Sequence, residues 1–142
     1  MRYSKLTAEH CAAAAETEAA CLDTAWSEGQ IREALNNEAY LYMIALEMDR
    51  LCGIVSVLLS SENAFLVNIA VGEAYRRRGV ARELLRRAEE EAVKRGCGSV
   101  TLEVASKNAN AIALYESAGY FKIGTRRGLY TDDDGVVMEK II

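Results

Sequence analysis

The chain of 142 residues has no proline, one histidine, one tryptophan and two phenylalanines. Without proline, low-complexity stretches or internal repeats it offers no linker and no boundary, so one domain over residues 1–142 is expected. A Ser-His-Asp or Cys-His enzyme would have to use His10, which falls in the first predicted helix, so that chemistry is set aside. The four cysteines, Cys11, Cys21, Cys52 and Cys97, contain no C-x-x-C pair. With one histidine they make a thin zinc set, and no metal is expected. No apolar run approaches the roughly 20 residues of a membrane helix. The best candidate, Gly53 to Leu59, is strand length. The N-terminal stretch is broken by Glu16 and Glu18 and lacks the apolar centre of a signal peptide. A cytoplasmic protein with no membrane partner is therefore expected. The net charge of −4 and pI near 5.1 argue against direct nucleic-acid binding.

What is present is globular composition, 51% hydrophobic and 27% charged. Tyr3 to Leu6 reads as a first strand. Thr7 is placed to cap a helix reaching about Leu22, with Ala8, Cys11, Ala12, Ala15 and Ala19 on one face. Ser27-Glu28-Gly29-Gln30 has the spacing of a capping box and opens a second helix, ending near Asn36-Asn37. Tyr40 to Glu47 and Leu51 to Ser60 form a hairpin around Met48-Asp49-Arg50, and Ala64 to Val71 is another strand. Val80 to Arg95 is helical, with Leu84, Leu85, Ala88, Ala92 and Val93 as its apolar stripe. Ser99 to Ala105 is a strand, Asn108 to Ser117 a short helix stopped by Gly119. Tyr120 to Arg127 and Val136 to Ile142 close the sheet. The order β-α-α-β-β-β-α-β-α-β-β predicts an α/β fold with a mixed sheet, helices lying on its faces.

The densest chemical signal is Arg76-Arg77-Arg78-Gly79-Val80-Ala81, between a strand and a helix. Gly79 lets the backbone turn tightly, and the helix start presents unpaired N–H groups and a positive dipole end to an anion. From Arg76 to Arg87 six arginines and one glutamate give a local +5, within a chain of −4, so the remainder carries −9. Neither G-x-x-x-x-G-K-[ST] nor G-x-G-x-x-G is present. The plain alternative is a solvated basic helix start.

This segment resembles the Q/R-x-x-G-x-G/A acetyl-CoA signature of the GCN5-related N-acetyltransferase (GNAT) superfamily. Phe65 to Val71 resembles the preceding strand of the ribosomal-protein-alanine N-acetyltransferase (RimI) branch. Leu102 to Tyr120 is similar to that branch's L-E-V-R-x-S-N-x-x-A-I-x-L-Y-x-x-x-G-F block. Trp26-Ser27 resembles its P-W-S, with Ala25 in place of proline. The resemblance covers most of the chain. It implies that acetyl-CoA is the co-substrate, with Arg77, Arg78, Gly79, Val80, Ala81 and Arg82 holding its pyrophosphate. The strand at Ile69-Ala70-Val71, splayed from its parallel neighbour, would bind the pantetheine arm and acetyl carbonyl. On pattern alone that strand is simply core.

Alternation sets Glu103 opposite Leu102 and Val104, which fits an ordinary solvated glutamate. The resemblance implies a general base, with partial burial raising its pKa. Tyr115, one turn past Ile112, fits a core-edge tyrosine. The resemblance implies the general acid for the departing thiolate, and a phenol stays protonated at neutral pH. Asn108 fits a helix N-cap and matches a family position that contacts the cofactor arm. The C-terminal region departs from the family's R-R-x-Y-Y-P and longer acidic loop. Here Arg126-Arg127-Gly128-Leu129-Tyr130-Thr131 runs into Asp132-Asp133-Asp134-Gly135. The resemblance implies direct transfer to a protein N-terminal α-amine, an N-terminal alanine of a small-subunit ribosomal protein, drawn in by an acidic cleft mouth. Lysine or small-amine acetylation and a non-catalytic acetyl-CoA-binding module are the rival readings.

Overall fold

Apolar runs, near-continuous over Tyr40–Glu47 and Arg50–Leu59 and alternating in burial over Asn63–Val71, build long strands in the middle of the computed structural model, which describes Met1 to Ile142. The elements are β1 (Arg2–Lys5), α1 (Cys11–Cys21), α2 (Glu28–Leu35), β2 (Tyr40–Glu47), β3 (Arg50–Leu59), β4 (Asn63–Val71), α3 (Val80–Lys94), β5 (Ser99–Ala105), α4 (Ala109–Ser117), β6 (Phe121–Tyr130) and β7 (Asp133–Ile141). Short 3₁₀ turns at Ala8–His10 and Glu73–Tyr75 precede α1 and α3. The seven strands form one sheet in the order β1-β2-β3-β4-β5-β7-β6. Only β4 and β5 run parallel; every other pair is antiparallel. No helix is long and apolar enough to cross a membrane.

Local chemistry explains the joints. Met48 and Asp49 both have positive φ, the left-handed pair that matches a two-residue hairpin to strand twist. The capping box forms in full: Gln30 N–H donates to Ser27 Oγ, and Ser27 N–H donates to Gln30 Oε1. Asn108 caps α4, its Oδ1 accepting from Ala111 N–H at 3.1 Å. Thr7 makes no side-chain cap; the chain enters a 3₁₀ turn there instead.

The sheet separates two cores. Val80, Leu84, Leu85, Ala88 and Ala92 of α3 pack on Leu41, Val55, Leu66, Leu102 and Val104. Complete burial of each leucine there stabilises by about 1.5–3 kcal/mol. Val93, expected in this stripe, is instead 52% exposed, and its neighbour along the helix, Ala92, is buried. On the opposite face Cys11 and Ala14 of α1 and Ile31 of α2 pack on Tyr42, Ile44 and Ile54. The buried face of α1 runs through Cys11, Ala14 and Glu18, not through Ala8, Ala12 and Ala19. An alanine-rich helix carries no strong apolar stripe, so the packing partners decide its rotation.

Glu18 is completely buried. Its carboxylate accepts from Trp26 N–H (3.0 Å), Asn68 Nδ2 (2.9 Å) and the Tyr42 hydroxyl. Burial and the Glu18 carboxylate hold the Tyr42 phenol well above its usual range. Three donors make a buried carboxylate tolerable where an unpaired one would be costly. Tyr42, Ser56 and Asn68 stand in one row across β2, β3 and β4.

Two irregularities of β4 prepare the ligand side. Leu66 pairs Val57 but Asn68 pairs Ser56, so Val67 is an extra residue. Ala64 and Leu66 face the α3 core, whereas Ala70 faces the α1 core. The second is the seam with β5. Pairing is confined to Asn63↔Ser99, Ala64↔Val100 and Phe65↔Thr101. Asn63 pins this end twice: its Nδ2 donates to Thr101 Oγ1 (3.0 Å) and its Oδ1 accepts from Ser99 Oγ (2.9 Å). Beyond Phe65 the strands diverge and the sheet opens.

Candidate active site

At the open end, the last residues of β4, the turn before α3, the start of α3 and one face of α4 surround a hollow of about 270 Å³. Val71, Arg77, Gly79, Val80, Ala81 and Arg82, all expected at the cofactor site, line it. Tyr75, Arg76 and Leu114 line it too. Arg76 opens the segment read from sequence as the anion site; Tyr75 and Leu114 were not singled out as ligand contacts, although Leu114 lies within the family-like block.

The backbone makes this hollow an anion cradle. Arg77 and Gly79 have φ of 64° and 77°, while Arg78 between them does not share their sign. The N–H groups of Arg77 through Arg82 find no backbone acceptor in the protein; the first bond of α3 runs from Glu83 N–H to Gly79 carbonyl. Six consecutive donors at the positive end of a 15-residue helix suit a pyrophosphate. A Cβ built on Gly79 would meet nothing within 4 Å, so the glycine serves the backbone's shape and the open space in front of it.

The arginine side chains are less available than their number suggests. Arg78, expected on the cofactor, turns away to form a two-pronged pair with Glu47 (2.6 and 3.2 Å) and lies 5.8 Å from the Tyr75 ring centroid. The Arg78 guanidinium holds the Glu47 carboxyl below its usual range. Arg82 donates to the Ser117 carbonyl at 2.8 Å, fastening α3 to the end of α4. Arg86 and Arg87 both bond Glu83, and these bonds lower that carboxyl to about 2, Arg86 having the larger effect. Arg76 Nε donates to the Val71 carbonyl and its Nη2 to Cys21 Sγ. Arg76 and Arg77 make no ion pair, and Arg77 alone of the first three arginines makes no side-chain hydrogen bond either.

Of the three β4 residues, Val71 lines the hollow and Ile69 packs at the rim of the α3 core. The Ala70 side chain belongs to the opposite core, which leaves only its backbone for a ligand in the gap. Glu103, on β5, points to the α1 face, since Leu102 and Val104 fill the α3 core. Its side chain is 20% exposed, and its Oε1 accepts from Arg126 Nη1 at 2.7 Å. Tyr115 is 6% exposed and packs edge-on against Tyr120, with ring centroids 5.9 Å apart. Burial, and then the neighbouring Tyr130, push its phenol up to about 12. The hydroxyl is not among the sealed, unpartnered polar atoms of the interior, of which Ser56 Oγ is the single case.

Tyr130 is the residue missed on the acceptor side. It is raised by burial first and then by the charge of Glu103, and it in turn raises Tyr115. Its electrostatic reach joins the two expected proton carriers. The signal was a lone tyrosine where the family pattern has two aromatics. The acids after it work locally. Asp133 accepts from Ser106 Oγ, Lys107 N–H (2.7 Å) and its neighbour Asp134 N–H, and Asp134 Oδ1 accepts from Gly128 N–H (2.8 Å). They tie the β6–β7 turn to the loop before α4, so their charge stands beside Asn108 but their oxygens are engaged.

A sheet split beside a helix whose bare N-terminus faces the gap defines a nucleotide-handle-binding transferase fold. The sequence model of the acetyltransferase (GNAT) family matches residues 9–120, and the chain belongs to that family. It is an acetyl-CoA-dependent N-acetyltransferase. The chain is similar to the [ribosomal protein bS18]-alanine N-acetyltransferase of Escherichia coli (strain K12), 36% identical over 110 residues, 78% of this chain and 74% of the relative. The crystal structure of the ribosomal-protein-S18-alanine N-acetyltransferase from Escherichia coli superposes with a TM-score of 0.89 at 33% identity, covering 99% of this chain and 93% of that one. An aminoglycoside 6′-N-acetyltransferase crystallised with coenzyme A shares the fold, with a TM-score of 0.84 at 15% identity, covering 99% and 97%.

Proposed function

We propose that this enzyme transfers the acetyl group of acetyl-CoA to the N-terminal α-amine of a protein, an N-terminal alanine of a small-subunit ribosomal protein, in the cytoplasm. The observation that carries the acceptor is the 36% identity over most of both chains to a bS18-alanine N-acetyltransferase. The geometry is consistent with the chemistry. The hollow, with its six free N–H groups, fits a pyrophosphate, and the unpaired stretch of β4 beyond Phe65 fits an extended amide-bearing arm.

Acetyl-CoA supplies the activated acyl group. Arg77 to Arg82 bind its pyrophosphate through backbone N–H groups, with the Arg77 side chain adding charge and Arg78 acting by its backbone. Ile69, Ala70 and Val71 present backbone groups to the arm and carbonyl, and Asn108, while capping α4, borders the same arm. Glu103 takes the proton of the amine as nitrogen attacks the thioester carbon, directly or through a water. Tyr115 gives its proton to the departing sulfur. A phenol near 12 keeps that proton through the whole neutral range. An α-amine, of pKa about 7.7–8.0 against about 10.4 for lysine, is already largely deprotonated at slightly alkaline pH, so one carboxylate suffices.

The test offers equal concentrations of an Ala-initiated basic peptide, an N-terminally blocked twin with an internal lysine, and a polyamine. Mass spectrometry locates the acetyl group. The expected product is the α-acetylated peptide. Preferential modification of the lysine or the polyamine overturns the acceptor, and coenzyme A binding without release from any of the three supports the non-catalytic reading.

A further inference from the structure

The Glu103–Arg126 pair has a geometry that the transfer chemistry alone does not require. Glu103 lies beside Val137 of β7 in register, and Val137 lies beside Gly124 of β6. A side chain at position 124 would stand in this row, but glycine has none, and a Cβ built there meets nothing within 4 Å. Arg126, two residues further along β6, reaches back on the same face to Glu103. No other basic side chain lies within ion-pair distance of Glu103. The two partners differ in freedom. The glutamate side chain is 20% exposed, the arginine 59%, so the anion is anchored and the cation can leave.

An acceptor amine reaches the protein largely as an ammonium when the pH is below its pKa. That ammonium needs the carboxylate whose Oε1 Arg126 already holds, and two cations brought against one carboxylate repel each other. We propose that Arg126 is a positioning residue for the acceptor: it holds the Glu103 carboxylate in place and occupies the position that the acceptor's ammonium takes, so acceptor binding is an exchange of one cation for another. This rests on the reading of Glu103 as the base. Arg126 thereby sets acceptor affinity without touching the cofactor side, which lies across the sheet toward α3. Tyr130, whose phenol is raised by burial and by the charge of Glu103, carries no positive charge, and the cation of Lys107 is engaged at the Asp132 carbonyl, so neither substitutes for it.

Steady-state kinetics with an Ala-initiated basic peptide tests the exchange. Arg126→Gln is expected to lower the peptide KM about two- to fivefold, the size of a part-exposed ion pair, and to leave the acetyl-CoA KM unchanged. Arg126→Lys keeps the cation and stays near the wild-type peptide KM. Arg127→Gln removes the same charge one residue away with no contact to Glu103, and leaves the peptide KM unchanged, which separates local exchange from general attraction of a basic peptide. In a Glu103→Gln background the Arg126→Gln effect disappears. If Glu103→Gln impairs kcat/KM but Arg126→Gln leaves the peptide KM unchanged or raises it, the exchange is wrong and the base stands. If Arg126→Gln and Arg127→Gln lower the peptide KM equally, the exchange is likewise wrong. If Glu103→Gln turns over like wild type, the base assignment and the exchange both fall.

Discussion

Gly79 and Gly96 form a matched pair, one at each end of α3. Gly79 has φ of 77° and Gly96 of 87°, and a Cβ at either meets nothing within 4 Å. Alanine at each position therefore carries the same backbone penalty, about 1–2 kcal/mol for a left-handed residue with a side chain. Neither replacement creates a clash. In a domain of this size each should lower Tm by roughly 3–6 °C. Ligand binding should separate them. At position 79 the methyl group enters the space in front of six free N–H groups, where it obstructs the close approach of phosphate oxygens. Loss of one charge-assisted hydrogen bond, about 1.5–3 kcal/mol, corresponds to roughly a 10- to 100-fold weaker complex. At position 96 nothing of the kind lies in front. Calorimetric titration with acetyl-CoA, alongside thermal melts, reads both quantities. Gly79→Ala is expected to bind far more weakly than Gly96→Ala at similar Tm. Equal affinity in the two variants would remove the anion cradle from the start of α3.

Tyr115→Phe is expected to lower kcat about 10²- to 10⁴-fold with little change in acetyl-CoA affinity, measured by rapid-quench and by calorimetry; an unchanged kcat refutes its role as acid. Its phenol, held up to about 12, should contribute no alkaline limb to the kcat–pH profile below pH 10. Glu18→Ala leaves the Tyr42 hydroxyl, the Trp26 N–H and one of the two Asn68 amide protons without an acceptor, and should cost about 3–5 kcal/mol in denaturant unfolding, with Glu18→Gln losing less. Glu83 has its carboxyl lowered to about 2 in the fold against an ordinary value near 4.5. Its stabilising effect is therefore fully present above about pH 4.5 and is lost as pH falls toward 2. Unfolding curves of wild type and Glu83→Gln should approach one another as pH falls from about 4.5 through 2, and a gap as wide at pH 2 as at pH 7 contradicts the pairing.

Much of the architecture was legible because its causes are local. β2 spans a continuous apolar run and β5 a stretch of alternation, the capping box needs only Ser27 and Gln30, and Asn108 sits where a cap belongs. The cradle at Gly79 was legible for the same reason, since a glycine between strand and helix constrains both. What escaped depends on partners distant in the chain. Glu18 reads as a solvent-facing charge on an alanine-rich helix. It is buried because Trp26, Tyr42 and Asn68, from a connector and two strands, all donate to it. Arg78 counts as positive charge at the anion site, but Glu47 lies 31 residues away and claims its guanidinium. The extra residue at Val67 leaves no mark in composition, yet it changes which face Asn68 and Ala70 present. Glu103 was singled out by its place in a family-like block, while the cation that pairs with it comes from a strand two places across the sheet.

The seam between β4 and β5 gives the sheet a mechanical character. Strands β1 to β4 form one plate and β5, β7 and β6 another, and their edges are laced at one end, by the pairs at Asn63, Ala64 and Phe65 and by Gly98 N–H donating to the Glu62 carbonyl. From there to Val71 is six residues, a lever arm of about 20 Å at roughly 3.3 Å per residue. A rotation of about 3° at the laced end moves the free edge by about 1 Å, a displacement large enough to misalign an amine and a thioester. The stiffness of that hinge resides in the paired rungs, the Gly98–Glu62 bond and the Asn63 side chain, bonded to Ser99 and Thr101. The gauge of the mouth is thus set at the far end of the strands, by small polar groups distant from the candidate site.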